Sequence, residues 1–246
     1  MIRFNFLFLV TGLLLFGCEH VTTKKTNKGK VKDGVVEQFR ADGSLKTSVA
    51  LKDGKRHGEA KSYYKDGTLR QSINYVNNVK EGLAVTYYQN GRKYQETPYE
   101  KGKINGIRKK YRMNGNLMAE VPYINNEPCA GLVEYLLNGE RKTNYPHIKI
   151  RPVDELLKKD RYSLILSISD GSKDVVFYSG KPVDEGCIPH YAIPLGSHKA
   201  GKAIVRYDLP PNAYIMEEMN FIAKVKTKLG NPYIIETSHN LAIENW

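Results

Sequence analysis

Residues 54–77 read GKRHGEAKSYYKDGTLRQSINYVN, and the features of this stretch recur every 24 residues between Gly34 and Gly139. An aromatic residue recurs at Phe39, Tyr63, Tyr87, Tyr111 and Tyr135, and a glycine follows four residues later at Gly43, Gly67, Gly91, Gly115 and Gly139. Two further columns keep the same step, namely Leu51, Tyr75, Tyr99, Tyr123 and Gly54, Asn78, Gly102, Asn126. Self-similarity at this period is typical of repeats stacked in one dimension.

Each repeat predicts one β-hairpin. In the second repeat, strands over 59–64 and 69–75 flank the turn Lys65-Asp66-Gly67-Thr68. Asp-Gly or Asn-Gly between two alternating runs is a strong hairpin signal, and it recurs in every repeat. Proline cannot donate to a strand ladder, so Pro98 and Pro122 are predicted to mark bulges. The repeats at 33–145 therefore predict an all-β fold, a single-layer antiparallel sheet of five hairpins and up to ten strands.

The period stops at Tyr145-Pro146, which predicts a second unit over 146–246. Segments rich in β-branched and aromatic residues predict strands at 161–169, 175–178, 203–207, 215–227 and 233–237, with a short helical turn at 154–159. Turn signals at this spacing favour a small β-sandwich-like domain.

The first seventeen residues predict a signal peptide, because Arg3 precedes an apolar run that is too short to span a bilayer. The ending Leu15-Phe16-Gly17-Cys18 resembles a bacterial lipoprotein box. That resemblance implies cleavage before Cys18, its lipidation, and stable anchoring in the cell envelope through several acyl chains. Glu19, where Asp would retain the protein at the inner membrane, implies the outer membrane. An ordinary cleaved signal with an incidental cysteine is the alternative.

Residues 18–32 are predicted to form a flexible basic tether between the lipid and the first repeat, because they lack the apolar content to fold alone. The net charge is +12. Residues 19–145 carry 24 Lys and Arg against 14 Asp and Glu, whereas residues 146–246 carry 13 against 12. The basic surplus thus belongs to the tether and the repeats. Nucleic acid is not expected as the partner of an exported protein, so an acidic membrane surface, a polysaccharide or a protein is favoured.

The stretch GKRHGEA at 54–60, followed by Tyr63 and Asp66-Gly67, resembles the MORN repeat in the variant form found in bacterial antitoxin-like proteins. The likeness covers about residues 33–143. It departs from the full pattern because residues 75–78, Tyr-Val-Asn-Asn, lack the usual tryptophan. The resemblance implies a scaffold for protein or membrane contact and not a catalyst.

A candidate binding face follows from the alternation of side chains along a strand. The aromatic column is predicted to pack within the sheet, with a ligand-stacking ladder as the alternative. The next residue of each repeat then points to the second face, as a mixed basic and aromatic strip of the kind found at interfaces: Arg40, Tyr64, Tyr88, Arg112 and Leu136.

Cys129 and Cys187 lie in different halves of the chain. A disulfide between them would staple the two units together, but two small half-buried thiols are the favoured interpretation. The segment Gly186-Cys187-Ile188, close to His190, resembles cell-wall transpeptidases, but it lacks their Ser-His-Gly-Cys run. The histidines show no convincing metal-ligand spacing, so no catalytic residue, metal or cofactor is expected.

The leading functional interpretation is a lipid-anchored, non-catalytic protein-binding scaffold of the cell envelope. The alternatives are an immunity protein that neutralises a toxin, and a cell-envelope enzyme with a site near Cys187 and His190.

Overall fold

The structure, a computed structural model, describes residues 32–181, 186–198 and 201–246. The predicted signal peptide, Cys18 and nearly all of the tether lie outside the described residues. The chain folds into β-sheets with one short helix, which confirms the all-β class. None of the helices in the described ranges is long and apolar enough to cross a membrane.

The repeats form one antiparallel sheet of twelve strands. The strands are β1 (Gly34–Phe39), β2 (Leu45–Lys52), β3 (Lys55–Tyr63), β4 (Leu69–Val76), β5 (Val79–Lys80), β6 (Gly82–Tyr87), β7 (Lys93–Glu100), β8 (Lys103–Ile104), β9 (Gly106–Tyr111), β10 (Leu117–Ile124), β11 (Glu127–Pro128) and β12 (Val133–Glu134). Their order is β1-β2-β3-β4-β6-β7-β9-β10-β11, and the short strands β5, β8 and β12 pair with β4, β7 and β10. The predicted sheet of sequential hairpins is confirmed.

The fifth hairpin is shorter than the others, where up to ten full strands were predicted. Its returning strand is reduced to an isolated bridge between Tyr135 and Arg141. Its turn is closed by backbone hydrogen bonds from the Leu136 amide to the Glu140 carbonyl at 2.8 Å and from the Gly139 amide to the Leu136 carbonyl at 3.1 Å. The backbone amide of Lys142 still donates to the carbonyl of Glu134 at 2.8 Å, and the chain then leaves the sheet for the second unit.

The ladder is irregular both next to the turns and at the prolines, where bulges were predicted. Next to the turns, the register shifts between Gln38 and Phe39, Ser62 and Tyr63, Thr86 and Tyr87, and Leu117 and Ala119. At the repeat position of the prolines, it shifts between Val49 and Leu51, and the two residues Thr97-Pro98 and Val121-Pro122 each face four residues of the partner segment. Pro98 pairs with Leu83 in regular register, and on its other side β7 pairs with β9 only at Gln95 and Glu96. The missing N–H of Pro98 therefore coincides with the place where that ladder stops.

The second unit consists of two four-stranded sheets, β13-β14-β18-β17 and β16-β15-β19-β20. Its elements are β13 (Ile148–Glu155), α1 (Leu156–Lys159), β14 (Arg161–Ile168), β15 (Val175–Ser179), β16 (Ile193–Leu195), β17 (Ser197–His198), β18 (Lys202–Asp208), β19 (Ala213–Lys226) and β20 (Pro232–Asn245). Leu164, Leu166, Phe177 and Phe221 are fully buried in a single core between these sheets. The sandwich-like architecture is confirmed.

Four strands of this unit differ from the prediction, and the short strands β16 and β17 are two that were not predicted. β13 was missed because Pro152 interrupts its alternation, and proline is tolerated here because β13 is an edge strand. β20 continues to Asn245, far beyond the predicted end at 237. Its later residues alternate between exposed positions and buried ones such as Leu241 and Ile243, so they extend the sheet along the core.

Candidate functional site

The predicted binding strip connects each repeat to the next. Tyr64 Oη donates to the carbonyl of Tyr87 at 2.7 Å, and Tyr88 Oη donates to the carbonyl of Tyr111 at 2.8 Å. In the same way, Nη2 of Arg112 donates to the Tyr135 carbonyl at 2.6 Å, and Nη2 of Arg40 donates to the Tyr63 carbonyl. These four side chains are half-buried, so they do not form a fully exposed strip. Each donates to a carbonyl group 23 residues later in the sequence.

One sequence signal could have revealed this role. Every strip position followed by another repeat carries a donor, either Arg or Tyr, and only the last repeat carries an apolar residue, Leu136. Leu136 has no later repeat to bond and is 46% exposed. Contact with a partner by the strip stays a prediction.

Beside the strip, the hairpin turns of the later repeats expose apolar side chains in a row at one end of the strands. We call this set the turn edge: Tyr94, Met113, Leu136 and Leu137. Met113 is 62% and Leu137 80% exposed, at equivalent turn positions of adjacent repeats. The Met113 carbonyl accepts hydrogen bonds from Asn90 Nδ2 at 3.2 Å and Arg92 Nη1 at 3.4 Å, so neighbouring turns are tied together. The ring of Tyr94 meets Tyr88 edge-on, with 5.1 Å between centroids.

One face of the sheet, here called the amide face, carries a continuous cross-strand row of mostly neutral polar residues. Directly opposed residues share a face, so the pairing of successive strands places the row in the order Gln38, Thr47, Ser62, Gln71, Thr86, Gln95, Lys110, Ala119 and Glu134. Cations also cover tyrosine rings of the third repeating column. Arg56 lies 4.3 Å from the Tyr75 centroid, and Arg108 lies 4.4 Å from that of Tyr123.

The opposite face, here called the charged face, is organised by ion pairs and tyrosine hydroxyls. Tyr111 Oη donates to Glu96 Oε2 at 2.6 Å, and Tyr135 Oη donates to Glu120 Oε2 at 2.7 Å. Burial, followed by this bond to Glu96, raises the pKa of Tyr111. Burial opposes ionisation of Glu96, but bonds from Lys93 and Tyr111 outweigh it and lower the pKa of Glu96. In these repeats the aromatic column bonds within the sheet, as predicted, and does not form a free stacking ladder.

A disulfide joins the last full repeat to the second unit, which corrects the expectation of free thiols. Cys129 and Cys187 are bonded, with their Cα atoms 4.0 Å apart across 58 residues of sequence. The adjacent amide of Ala130 donates to the Gly186 carbonyl at 2.9 Å. A nucleophilic role for Cys187 would require a free thiolate, which the disulfide removes.

A buried carboxylate forms the second link at this junction. Glu134 is 1% exposed, and its Oε1 accepts from Thr227 Oγ1 at 2.6 Å and Asn231 Nδ2 at 2.9 Å. Its Oε2 accepts from Lys142 Nζ at 3.1 Å. These donors satisfy the buried charge from both units, so the network fixes the sandwich against the end of the sheet.

A cavity of about 350 Å³ opens beside this network. It is lined by Lys142, Asn144, Tyr145, Ser169, Thr227 and Lys228 among others. Among the residues that the structure describes, no group of three or more His, Cys, Asp or Glu is placed to hold a metal ion.

The sheet thus defines a protein built from tandem hairpin repeats. The sequence model of the MORN repeat variant matches residues 56–77, 80–101 and 104–125, three tandem copies at a spacing of 24 residues. No curated protein matches the chain. The matched segments form the central hairpins of the sheet, while the first and the incomplete fifth repeat lie outside the match. MORN repeats indicate a repeat scaffold or a binding role.

Proposed function

We propose that this protein is a lipid-anchored, non-catalytic scaffold of the bacterial cell envelope that binds a partner protein along the turn edge. The observation that carries the proposal is the exposure of Met113, Leu136 and Leu137, at 62%, 46% and 80%, on one edge of a rigid sheet. Contiguous exposed apolar surface on a soluble domain marks an interaction site.

The composition of this edge suits a protein partner. Besides its leucines, it combines methionine and the exposed tyrosine Tyr94 with the exposed cation Arg92, and methionine, tyrosine and arginine are enriched at protein interfaces. The strip behind it holds successive turns in place, so little ordering free energy is lost on binding. The predicted strip residues Tyr88 and Arg112 therefore lie next to this surface, and their hydrogen bonds to the next repeat keep its turns in position.

The anchor rests on the sequence around Cys18. A flexible tether over residues 19–32 has a root-mean-square length of about 20 Å, so the first repeat would stay close to the lipid headgroups. The basic surplus of tether and repeats favours that position beside an acidic membrane. An immunity protein would use the same edge, with a secreted toxin as its partner.

Affinity capture with the intact chain tests the proposed contact surface. Envelope extract is passed over immobilised wild type, over Met113→Ser/Leu137→Ser, and over a control, Leu157→Ser, whose side chain is 96% exposed on α1. We expect a protein that the wild type and the control retain and the double variant loses, with all three chains equally folded by circular dichroism. If all three chains retain that protein equally, the binding surface lies elsewhere.

A further inference from the structure

Two cations on the amide face break the pattern of the repeats at one place. The position of Lys110 is occupied in the three earlier repeats by the neutral polar residues Gln38, Ser62 and Thr86, and in the last repeat by Glu134. Residues 24 apart from Arg108 are apolar: Val36, Ala60, Ala84 and Leu132. The sheet therefore folds without cations at these positions in its other repeats. Arg108 covers the ring of Tyr123 at 4.4 Å, as Arg56 and Lys80 cover Tyr75 and Tyr99 in the preceding repeats. No such contact among the described residues involves Lys110, and a local departure from a repeating rule points to a functional site.

The two side chains lie together. Arg108 precedes Lys110 by two residues on β9, so both project from the same face. Burial lowers the pKa of Lys110, and the nearby positive charges of Arg108 and Lys226 add to this effect, while Glu134 opposes it.

No carboxylate of the described residues neutralises this pair. Neither Arg108 nor Lys110 forms an ion pair with any described acid. Glu134 already accepts hydrogen bonds from Thr227, Asn231 and Lys142 and none from Lys110. Arg108 Nε is buried and has no hydrogen-bond partner. Lys226 reaches only Asp174, at 3.8 Å.

We propose that Arg108 and Lys110 form a binding site for an oxyanion. A half-buried ammonium without a counter-charge is costly, and an anion bound between these groups would remove that cost. The ligand chemistry follows from the donors. An arginine fork and an ammonium group select phosphate, sulfate or carboxylate oxygens, and they exclude a cation.

The anion could be free in solution or carried by an acidic segment of a partner protein. The site therefore extends the proposed function without depending on it, because it lies on a face of the sheet and not on the turn edge.

Lys109 offers a matched control. It is the neighbour of Lys110 on the same strand, it points to the charged face, and it pairs with Glu120 at 3.5 Å. Lys109→Gln and Lys110→Gln remove the same charge from the same strand. Each is compared with the wild-type intact chain in sodium phosphate, in sodium sulfate and in sodium chloride at matched ionic strength. Hexaglutamate is a fourth probe.

We expect phosphate or sulfate to raise the melting temperature of the wild type and of Lys109→Gln above the value in chloride. Lys110→Gln should lose this response, and calorimetry should show its affinity for phosphate lowered about tenfold or more. In chloride alone, Lys110→Gln should melt at or above the wild-type temperature, because the uncompensated charge is gone.

Binding of hexaglutamate without a response to phosphate, lost in Lys110→Gln only, would also support the site and identify a protein-borne carboxylate as its ligand. Three outcomes overturn the proposal. They are the absence of any response beyond chloride, an equal loss in both variants, and a clear loss of stability of Lys110→Gln in chloride, which would show that Glu134 already serves as its counter-charge.

Discussion

The turn glycines hold a backbone conformation that other residues avoid. Gly67 has a φ of +87°, and its amide donates to the Tyr64 carbonyl at 3.1 Å to close the turn. A Cβ added at Gly67 would meet no atom within 4 Å, so the conformation and not the available space requires glycine.

Replacing Gly67 with valine should therefore lower the free energy of unfolding by about 1–3 kcal/mol, because a β-branched residue is strained at positive φ. Urea denaturation measures the loss. Gly196→Val is the control, since Gly196 is equally open but lacks a positive φ. If the two variants lose the same stability, the requirement for positive φ in the turn is wrong.

The strip tyrosines show how one hydroxyl couples two repeats. Tyr64→Phe and Tyr88→Phe each delete a single hydrogen bond to a main-chain carbonyl of the next repeat. Each should lower the free energy of unfolding by about 0.5–1.5 kcal/mol, and the two losses should be nearly additive. Thermal and urea melts provide the measurement. Tyr214→Phe is the control, because Tyr214 is 70% exposed, and it should melt like the wild type.

At the scale of elements, β12 and the β19–β20 turn meet through one buried charge. Glu134→Ala should cost about 3–5 kcal/mol, because it leaves Lys142 without its ion-pair partner and Asn231 with an unsatisfied buried amide. Glu59→Ala is the comparison. Glu59 pairs with Lys61 at 2.7 Å but is 49% exposed, so its loss should be below about 1 kcal/mol. Similar values for the two variants would show that Glu134 does not hold the units together.

The disulfide is a second link between the same units. Replacing Cys129 and Cys187 together by serine should lower the free energy of unfolding by about 2–4 kcal/mol, because the bond restricts a 58-residue loop in the unfolded chain. A dithiol reductant should reproduce this loss in the wild type and leave the double variant unchanged. A wild type that melts identically with and without reductant would contradict the prediction.

For the whole molecule, the proposed lipid anchor would determine where the protein acts. Cys18→Ser should either release the protein from the membrane fraction or leave it uncleaved with its signal attached. Fractionation and the mass of the product distinguish these results from the wild type. A serine variant that is processed normally and stays tightly bound to the membrane would show that the lipoprotein interpretation is wrong.

The amino-acid sequence by itself determined the architecture of the repeats. The Asp-Gly and Asn-Gly turns and the alternation around Ile73 and Val121 are local signals, and the 24-residue period repeats them along the chain. Hairpins are built from local contacts, so their order in the sheet follows their order in the chain. The aromatic column at Tyr111 and Tyr135 was correctly placed within the sheet for the same reason.

The tertiary structure alone decided which distant groups meet. The pairing of Cys129 with Cys187 and of Glu134 with Asn231 depends on how the sandwich folds back onto the sheet, and no spacing in the chain encodes that. Tyr64 and Tyr88 donate to main-chain carbonyl groups of the next repeat. Every residue has such a carbonyl, so the side-chain sequence does not identify the acceptor. The half-burial of Lys110 without an ion-pair partner likewise became visible only in the folded sheet.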